Sequence, residues 1–411
     1  MKILFFSDNF RPEPAPPAAH VYERARLWVQ AGHEVTVLCT APNFPEGKVY
    51  PGYRNRWRGV EIVDGIRVVR VKTYITANEG LVRRSLDFSS FALSSFCFAF
   101  FEPRPDVVIS TSPQLFSPLA GLCYAKLRGL PHVFELRDLW PASLAAVGMR
   151  KGFVYRLLER LEMALYRGSR RILAFTGAFV EDLVGRGISR EKIDLVLNGA
   201  NLSLFTPRPK DAELARELGL EGRFVVGFLG TLGMAHGLES ALEAAELLRE
   251  EPVSLLLVGG GAERKRLMEL AAARGLTNVV FVERQLKEAM PRYWSLCDAS
   301  LVQLRNSALF DGVIPSKIFE SMAMGRPILY AVPRGEGSTI VERHGAGLCV
   351  PPADPQALAD AIRRLMGDES LRSSLAAAAL KAAPTYSREK QADACLEVFR
   401  KAMGGEEKKA V

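Results

Sequence analysis

Lys317 and Glu320 stand three residues apart in the segment Val313–Leu329, VIPSKIFESMAMGRPIL. Pro315 and Ser316 are helix-opening residues, and Gly325 with Pro327 ends the helix. Lys317 therefore falls in the first turn, where the helix dipole favours an anion over a cation. A lysine there fits an anionic ligand shared with the helix end. Glu320 lies on the same face and suits a ribose diol; a Lys317–Glu320 surface pair is the other reading. Upstream, Gly227–Gly237 reads GFLGTLGMAHG. Gly230 and Gly233, with Thr231 between them, let backbone N–H groups approach a phosphate closely. The glycines Gly259 and Gly260 follow a second apolar run; Arg284-Gln285 and Arg305 follow two more. In the first half the densest group is PHVFELRDLWP. Asp138 there can orient or deprotonate a hydroxyl, and Arg137 can neutralise phosphate; an Arg137–Asp138 structural pair competes with that reading. Pro16, in the proline-rich loop Arg11–Pro17, and His20 just beyond it follow the first apolar run.

The elements that must position these groups are short apolar runs alternating with amphipathic stretches. Strands are expected at Ile3–Phe6, Val35–Leu38, Ile66–Val71, Val107–Ser110, His132–Glu135, Arg171–Phe175 and Ile193–Leu197. A second series runs Phe224–Leu229, Ser254–Val258, Val279–Val282, Ser300–Leu304, Ile328–Tyr330 and Gly347–Val350. Helical patterns such as Tyr22–Ala31 and Val154–Arg167 separate most of them. Strand–helix alternation of this kind implies an α/β fold of two Rossmann-like, doubly wound parallel-sheet domains. The boundary is expected near Asn198–Gly222, giving domains 1–205 and 206–385, an amphipathic helix at about 386–402 and a disordered tail at 403–411. In such sheets ligands bind beyond the carboxyl ends of the strands, which is where every group named above falls. No Asp-x-Asp occurs, so no such metal–nucleotide clamp is expected, and no metal. P-loop, GxSxG and GxGxxG patterns are also missing.

The 411 residues are 48% hydrophobic and 24% charged, which excludes a disordered or fibrous chain. The net charge of +8 is asymmetric: residues 1–205 carry 27 Lys and Arg against 19 Asp and Glu, and the remainder balances. Something anionic meeting the first half is one reading, and a solvated surface the other. Six scattered cysteines form no CxxC or zinc spacing and read as reduced thiols of a cytosolic protein. MKILFFSDNF is too short an apolar run for a signal peptide. Leu86–Phe101, after Arg83-Arg84, falls short of the roughly 20 residues that span a bilayer, and reads as a buried helix or a peripheral docking element.

Taken together the sequence resembles the family 4 glycosyltransferases of the GT-B fold, in the WbuB-like group of O-antigen and capsule enzymes. The segments that carry the likeness are GHEVTVL, APNFPEGKVYPGYRN, ELRDLWP, NGAN, GTLGMAHGLE and IPSKIFESMAMGRPI. The resemblance implies two domains facing a central cleft, with donor bound by the C-terminal one and acceptor by the N-terminal one. It implies retaining transfer from a nucleoside-diphosphate sugar, with UDP the expected nucleotide and an N-acetylated hexosamine or deoxyhexosamine the expected sugar. The acceptor would be a glycan or a polyprenyl-diphosphate-linked sugar. No cofactor beyond the donor is expected, and the location would be cytoplasmic, peripheral to the inner face of the membrane. Glu320 matches the family's ribose-binding glutamate, Gly230–Gly233 matches its diphosphate loop, and the last helix would cross back to the first domain. Three features depart from the pattern: Thr231 and His236 stand where the family often has Arg and Lys, Gly312 beside Asp311 replaces a second glutamate, and Arg137 replaces a histidine. Lys317, with Arg305 or Arg284, would then supply the positive charge. Rival readings are a UDP-sugar 2-epimerase of the same fold, a nucleic-acid or anionic-surface binding protein using the basic half, and a silent scaffold.

Overall fold

The computed structural model describes residues 1–14, 16–77, 81–141, 152–307, 310 and 312–404. The expected tail from Gly405 onward and Asp311 lie outside the described residues. The chain divides into two compact units, Met1–Leu197 with Glu389–Val411, and Asn198–Arg388. The division falls before the boundary expected at 205. Asn198–Asn201 belongs to the second unit because Ala200 bridges to Ser387, its N–H donating to the Tyr386 carbonyl at 2.9 Å.

Unit one is built on β1 (Lys2–Phe6), β2 (Glu34–Thr40), β3 (Arg58–Val63), β4 (Ile66–Val71), β5 (Val107–Thr111), β6 (His132–Leu136), β7 (Arg171–Ala174) and β8 (Ile193–Leu195). Its helices are α1 (Pro16–Gln30), α2 (Leu81–Ala99), α3 (Phe116–Arg128), α4 (Phe153–Gly168) and α5 (Gly177–Gly185). The strand order is β3-β4-β2-β1-β5-β6-β7-β8, parallel throughout except for the antiparallel β3–β4 edge. Successive side chains of a strand point to opposite faces, so a sheet covered on both sides needs unbroken apolar strands. β1 shows this directly: Ile3 and Phe5 join one core with Trp28, while Leu4 and Phe6 join another with Phe91 and Tyr124.

Unit two holds α6 (Ala212–Glu217), β9 (Phe224–Leu229), α7 (Glu239–Leu247), β10 (Val253–Val258), α8 (Arg264–Ala273), β11 (Val279–Val282), α9 (Met290–Leu296) and β12 (Ala299–Gln303). It continues through α10 (Lys317–Ala323), β13 (Ile328–Ala331), α11 (Glu336–His344), β14 (Gly347–Cys349), α12 (Pro355–Gly367) and α13 (Glu369–Ala382). The sheet is wholly parallel, in the order β11-β10-β9-β12-β13-β14. The chain closes with α14 (Arg388–Ala402), which packs from Ala392 onward into the unit-one core. Trp28 Nε1 donates to the Ala392 carbonyl at 3.0 Å, and its ring meets Phe399 edge-on at 5.1 Å.

One strand was not expected. β3 alternates exposed and half-buried residues, so it lacks the apolar run that marks the others. Its hairpin with β4 turns on Asp64-Gly65, both at positive φ (49° and 80°), the dipeptide of a tight hairpin turn.

Candidate functional site

In unit two the chain leaves β9 toward β10 on one side, then crosses from β11 to β12 on the other. The carboxyl ends of β9 and β12 therefore flank the point where strand order reverses, the usual ligand crevice of an open α/β sheet. Gly230 follows β9 there, and α10 follows β12. The Lys317 ammonium sits 3.9 Å from the centroid of the Phe228 ring. A Cβ on Gly230 would lie 2.7 Å from Lys317 Cε, so a side chain there would displace the lysine tip, and the positive φ of 140° favours glycine as well. Lys317 is half-buried, and its ammonium has no hydrogen-bond or ion-pair partner among the described residues. Burial lowers it to about 8, against a smaller opposing pull from Glu320, which lies in the same first helical turn. Pro315 and Ser316 open that turn, their carbonyls accepting from Ile318 and Phe319 N–H at 3.1 Å.

The neighbouring turn is knitted by glycines. Gly230 N–H donates to the Val258 carbonyl at 2.8 Å, and Leu232 N–H to the Gly260 carbonyl at 2.9 Å. A Cβ on Gly259 would fall 1.8 Å from the Gly230 carbonyl oxygen. Gly259 is thus required by backbone-to-backbone approach, one layer behind the turn expected to meet the ligand. Thr231 is exposed and Gly233 half-buried, directly before a single 3-10 turn at Met234–His236. His236 donates from Nδ1 to the Gln303 carbonyl at 3.0 Å and meets Phe228 edge-on. Burial, then Lys317, pushes it down to about 3, so this imidazole is neutral and supplies no charge.

Arg305 lies along the Gly237 turn, its N–H donating to the Ala235 carbonyl at 2.9 Å. Its guanidinium is 3.4 Å from Glu239, which Arg266 also engages, so Arg305 belongs to an ion-pair network at the start of α7. Arg284 is exposed, and a Cβ on Gly260 would lie 3.6 Å from its side chain, an ordinary contact. Gln285 donates to the Glu283 carbonyl at 3.2 Å. The structure therefore brings Gly230, Lys317 and Gly259 into one cluster, and places Arg305 and Arg284 on adjoining turns.

In unit one, Arg137 and Asp138 leave the carboxyl end of β6, and both N–H groups donate to Ser112 Oγ, at 2.7 and 3.3 Å. The Arg137 guanidinium reaches Glu135 at 3.3 Å, bonds His20 Nδ1 and lies over the Phe175 ring. Glu135 is buried and also takes Arg24 at 2.7 and 2.8 Å and Thr111 Oγ1 at 3.0 Å. Burial alone would raise its carboxyl; the Arg24 charge and hydrogen bonds, with Arg137, lower it instead. Pro16 opens α1, and His20 lies one turn further on.

Glu135 and Arg24 were not anticipated, although a glutamate inside the apolar run HVFEL is itself a signal. Nor was a carboxylate group after β1. Glu13 Oε1 accepts from Asn43 and Phe44 N–H at 2.8 and 3.0 Å, while its buried Oε2 has no partner among the described residues. Burial pushes Glu13 up to about 7, with Asp8 adding to it. Asp87 rises to about 7 by burial and by Asp8 and Glu13.

Comparison with known proteins gives these sites a context. Residues 17–199 match the Glycosyl transferase 4-like domain, and residues 210–382 match Glycosyl transferases group 1. WcaI of Escherichia coli K12, a glycosyl transferase named for colanic acid biosynthesis, is 28% identical over 378 residues, covering 89% of this chain and 92% of its own. Sucrose-phosphate synthase from Thermosynechococcus elongatus is similar in fold with a TM-score of 0.79 at 20% identity, over 98% of this chain and 99% of its own. Anabaena HepE in complex with UDP-glucose gives a TM-score of 0.69 at 18% identity, over 98% of each chain. The first family match takes in β2 to β8 of the first sheet and the second match the whole of the second sheet, and the solved structures share the two-sheet fold. The chain belongs to the family 4 glycosyltransferases of the GT-B fold, and it is a glycosyltransferase.

Proposed function

We propose that the protein transfers an N-acetylated hexosamine or deoxyhexosamine from UDP to a glycan or polyprenyl-diphosphate-linked acceptor in surface polysaccharide synthesis, with retention of configuration. The observation that carries this reading is the Lys317 ammonium, half-buried against the Phe228 ring and with no hydrogen-bond or ion-pair partner among the described residues, beside a glycine turn at the switch point of a parallel sheet. A diphosphate would supply the missing counter-charge. The UDP-glucose bound by HepE and the colanic acid in the name of WcaI support the nucleotide and the pathway class.

In this reading Lys317 and the N–H groups of Thr231 and Gly233 stabilise the leaving diphosphate as charge develops on it. Glu320 holds the ribose, Pro315 and Ser316 present the helix end, and Arg305 and Arg284 with Gln285 border the site. The bond from the anomeric carbon to the phosphate oxygen breaks, with its electron pair going to that oxygen. The acceptor oxygen bonds the anomeric carbon on the same face, and its proton passes to the freed phosphate oxygen. Asp138 orients the acceptor hydroxyl, and Arg137 is held by Glu135. No step is assigned to a metal, because the sequence lacks Asp-x-Asp.

A thermal-shift panel of UDP-, GDP- and dTDP-sugars, followed by NMR of the product, tests the reading. UDP-sugars should raise the Tm, and the new linkage should keep the donor's anomeric configuration. An inverted product, or stabilisation by GDP-sugars alone, would overturn it, and an epimer formed from donor alone would favour the 2-epimerase.

We assign the membrane contact to α2. This helix buries Phe91, Ser95 and Ala99 and leaves Val82, Leu86 and Leu93 exposed (75, 52 and 67%) beside Arg83. No helix among the described residues is long and apolar enough to cross a membrane. Each basic group near an anionic surface contributes about 1 kcal/mol. Co-sedimentation with anionic vesicles should therefore be lost in Arg83→Glu/Arg84→Glu; absence of binding by the parent protein would contradict it.

A further inference from the structure

A cavity of about 670 Å³ opens in unit one at the amino ends of its strands, the opposite edge from Arg137 and Asp138. Arg170 immediately precedes β7, and Lys192 immediately precedes β8. Lys126 comes from α3 and Arg167 from α4, and all four line the cavity. None of the four pairs with a carboxylate among the described residues. Two nearby acids are engaged elsewhere: Asp194 with Arg171 at 2.8 Å and Lys401 at 3.8 Å, and Asp106 with the Lys2 N–H at 2.7 Å.

The cations are also held close together. Lys192 Nζ donates to the Arg167 carbonyl at 2.6 Å. Burial, then the charges of Arg170 and Lys126, lower Lys192 below its ordinary value. His132 in the cavity wall adds no charge: it bonds Ser169 and Ser110 through its two ring nitrogens, and burial pushes it down to about 3. Like charges gathered round one cavity repel, and a multivalent anion relieves that repulsion. The volume lies within the roughly 300–1,000 Å³ typical of small-ligand sites.

We propose that this cavity binds a phosphate-bearing polyanion, at a site separate from the donor turn and independent of the donor assignment. The chemistry could come from a soluble diphosphate or from a phospholipid headgroup. The full chain carrying Lys317→Ala, which removes the donor-turn cation, is titrated with inorganic pyrophosphate, with and without Lys126→Gln/Arg170→Gln. Both substituted positions are exposed, so folding is spared. The expected result is saturable binding that weakens at least about tenfold in the doubly substituted protein, and that weakens further with salt as exposed charges are screened. Vesicles of neutral and of anionic phospholipid form the second arm. Loss of anionic-vesicle binding in the doubly substituted protein, without pyrophosphate binding, identifies the headgroup as the source. If the double substitution changes neither pyrophosphate nor vesicle binding, there is no such site. UDP affinity should be untouched by Lys126→Gln/Arg170→Gln, so failure here is distinguishable from failure of the donor assignment.

Discussion

An ammonium group against the Phe228 ring in the first turn of α10 is opposed by burial and by the helix dipole alike. Lys317 titrates at about 8 in the folded chain, against an ordinary value of 10.5. The unfolded chain therefore binds the extra proton between those values, and stability without ligand rises as pH rises from about 8 to 10.5. Donor recognition has the opposite sign, because it needs the ammonium form. We predict that kcat/KM for the donor falls as pH rises through about 8, and that Lys317→Arg moves this limb to higher pH. A pH profile unchanged by Lys317→Arg would contradict it. His236 cannot take over the role, being neutral across that range. In unit one the comparable residue is Glu135, whose pairing with Arg24 and Arg137 fixes the side chain that precedes Asp138.

The elements were readable where both faces of a strand are buried. Such strands leave continuous apolar runs, and the strands carrying the site, β6, β9, β10, β11 and β12, were placed within a residue or so. β3 escaped because its outward face meets solvent, and only the Asp64-Gly65 turn betrays it. The individual groups of the donor turn were readable because glycine and a misplaced cation are local signals. Their tertiary partners were not: Gly259 meeting the Gly230 carbonyl, or Arg305 meeting Glu239, depends on distant strands arriving side by side. The crossing of α14 into unit one was expected from the family resemblance, but its contact with the distant Trp28 was not readable. Phe399 is fully buried against Trp28, so Phe399→Ala should cost about 3–5 kcal/mol in denaturant unfolding. A loss under about 1 kcal/mol would mean that the helix does not anchor unit one.

Over the whole molecule, the family matches and the two sheets establish a glycosyltransferase, while a fold of this kind hosts many sugars and acceptors. The charge asymmetry now has an address. Part of the basic excess of the first half lines the cavity at the amino edge of its sheet, and part stands at Arg83 on α2. The buried Arg24, by contrast, is matched within the fold by Glu135. In unit two charge is balanced in sequence, yet the Lys317 ammonium at the switch point has no hydrogen-bond or ion-pair partner among the described residues. That one uncompensated cation is the centre of the account, and calorimetric titration of UDP into the parent protein and into Lys317→Met tests it most directly. Saturable binding by the parent is expected, weakened at least about tenfold, or 1.4 kcal/mol, in Lys317→Met without loss of thermal stability. Equal UDP affinity in the two proteins would contradict it.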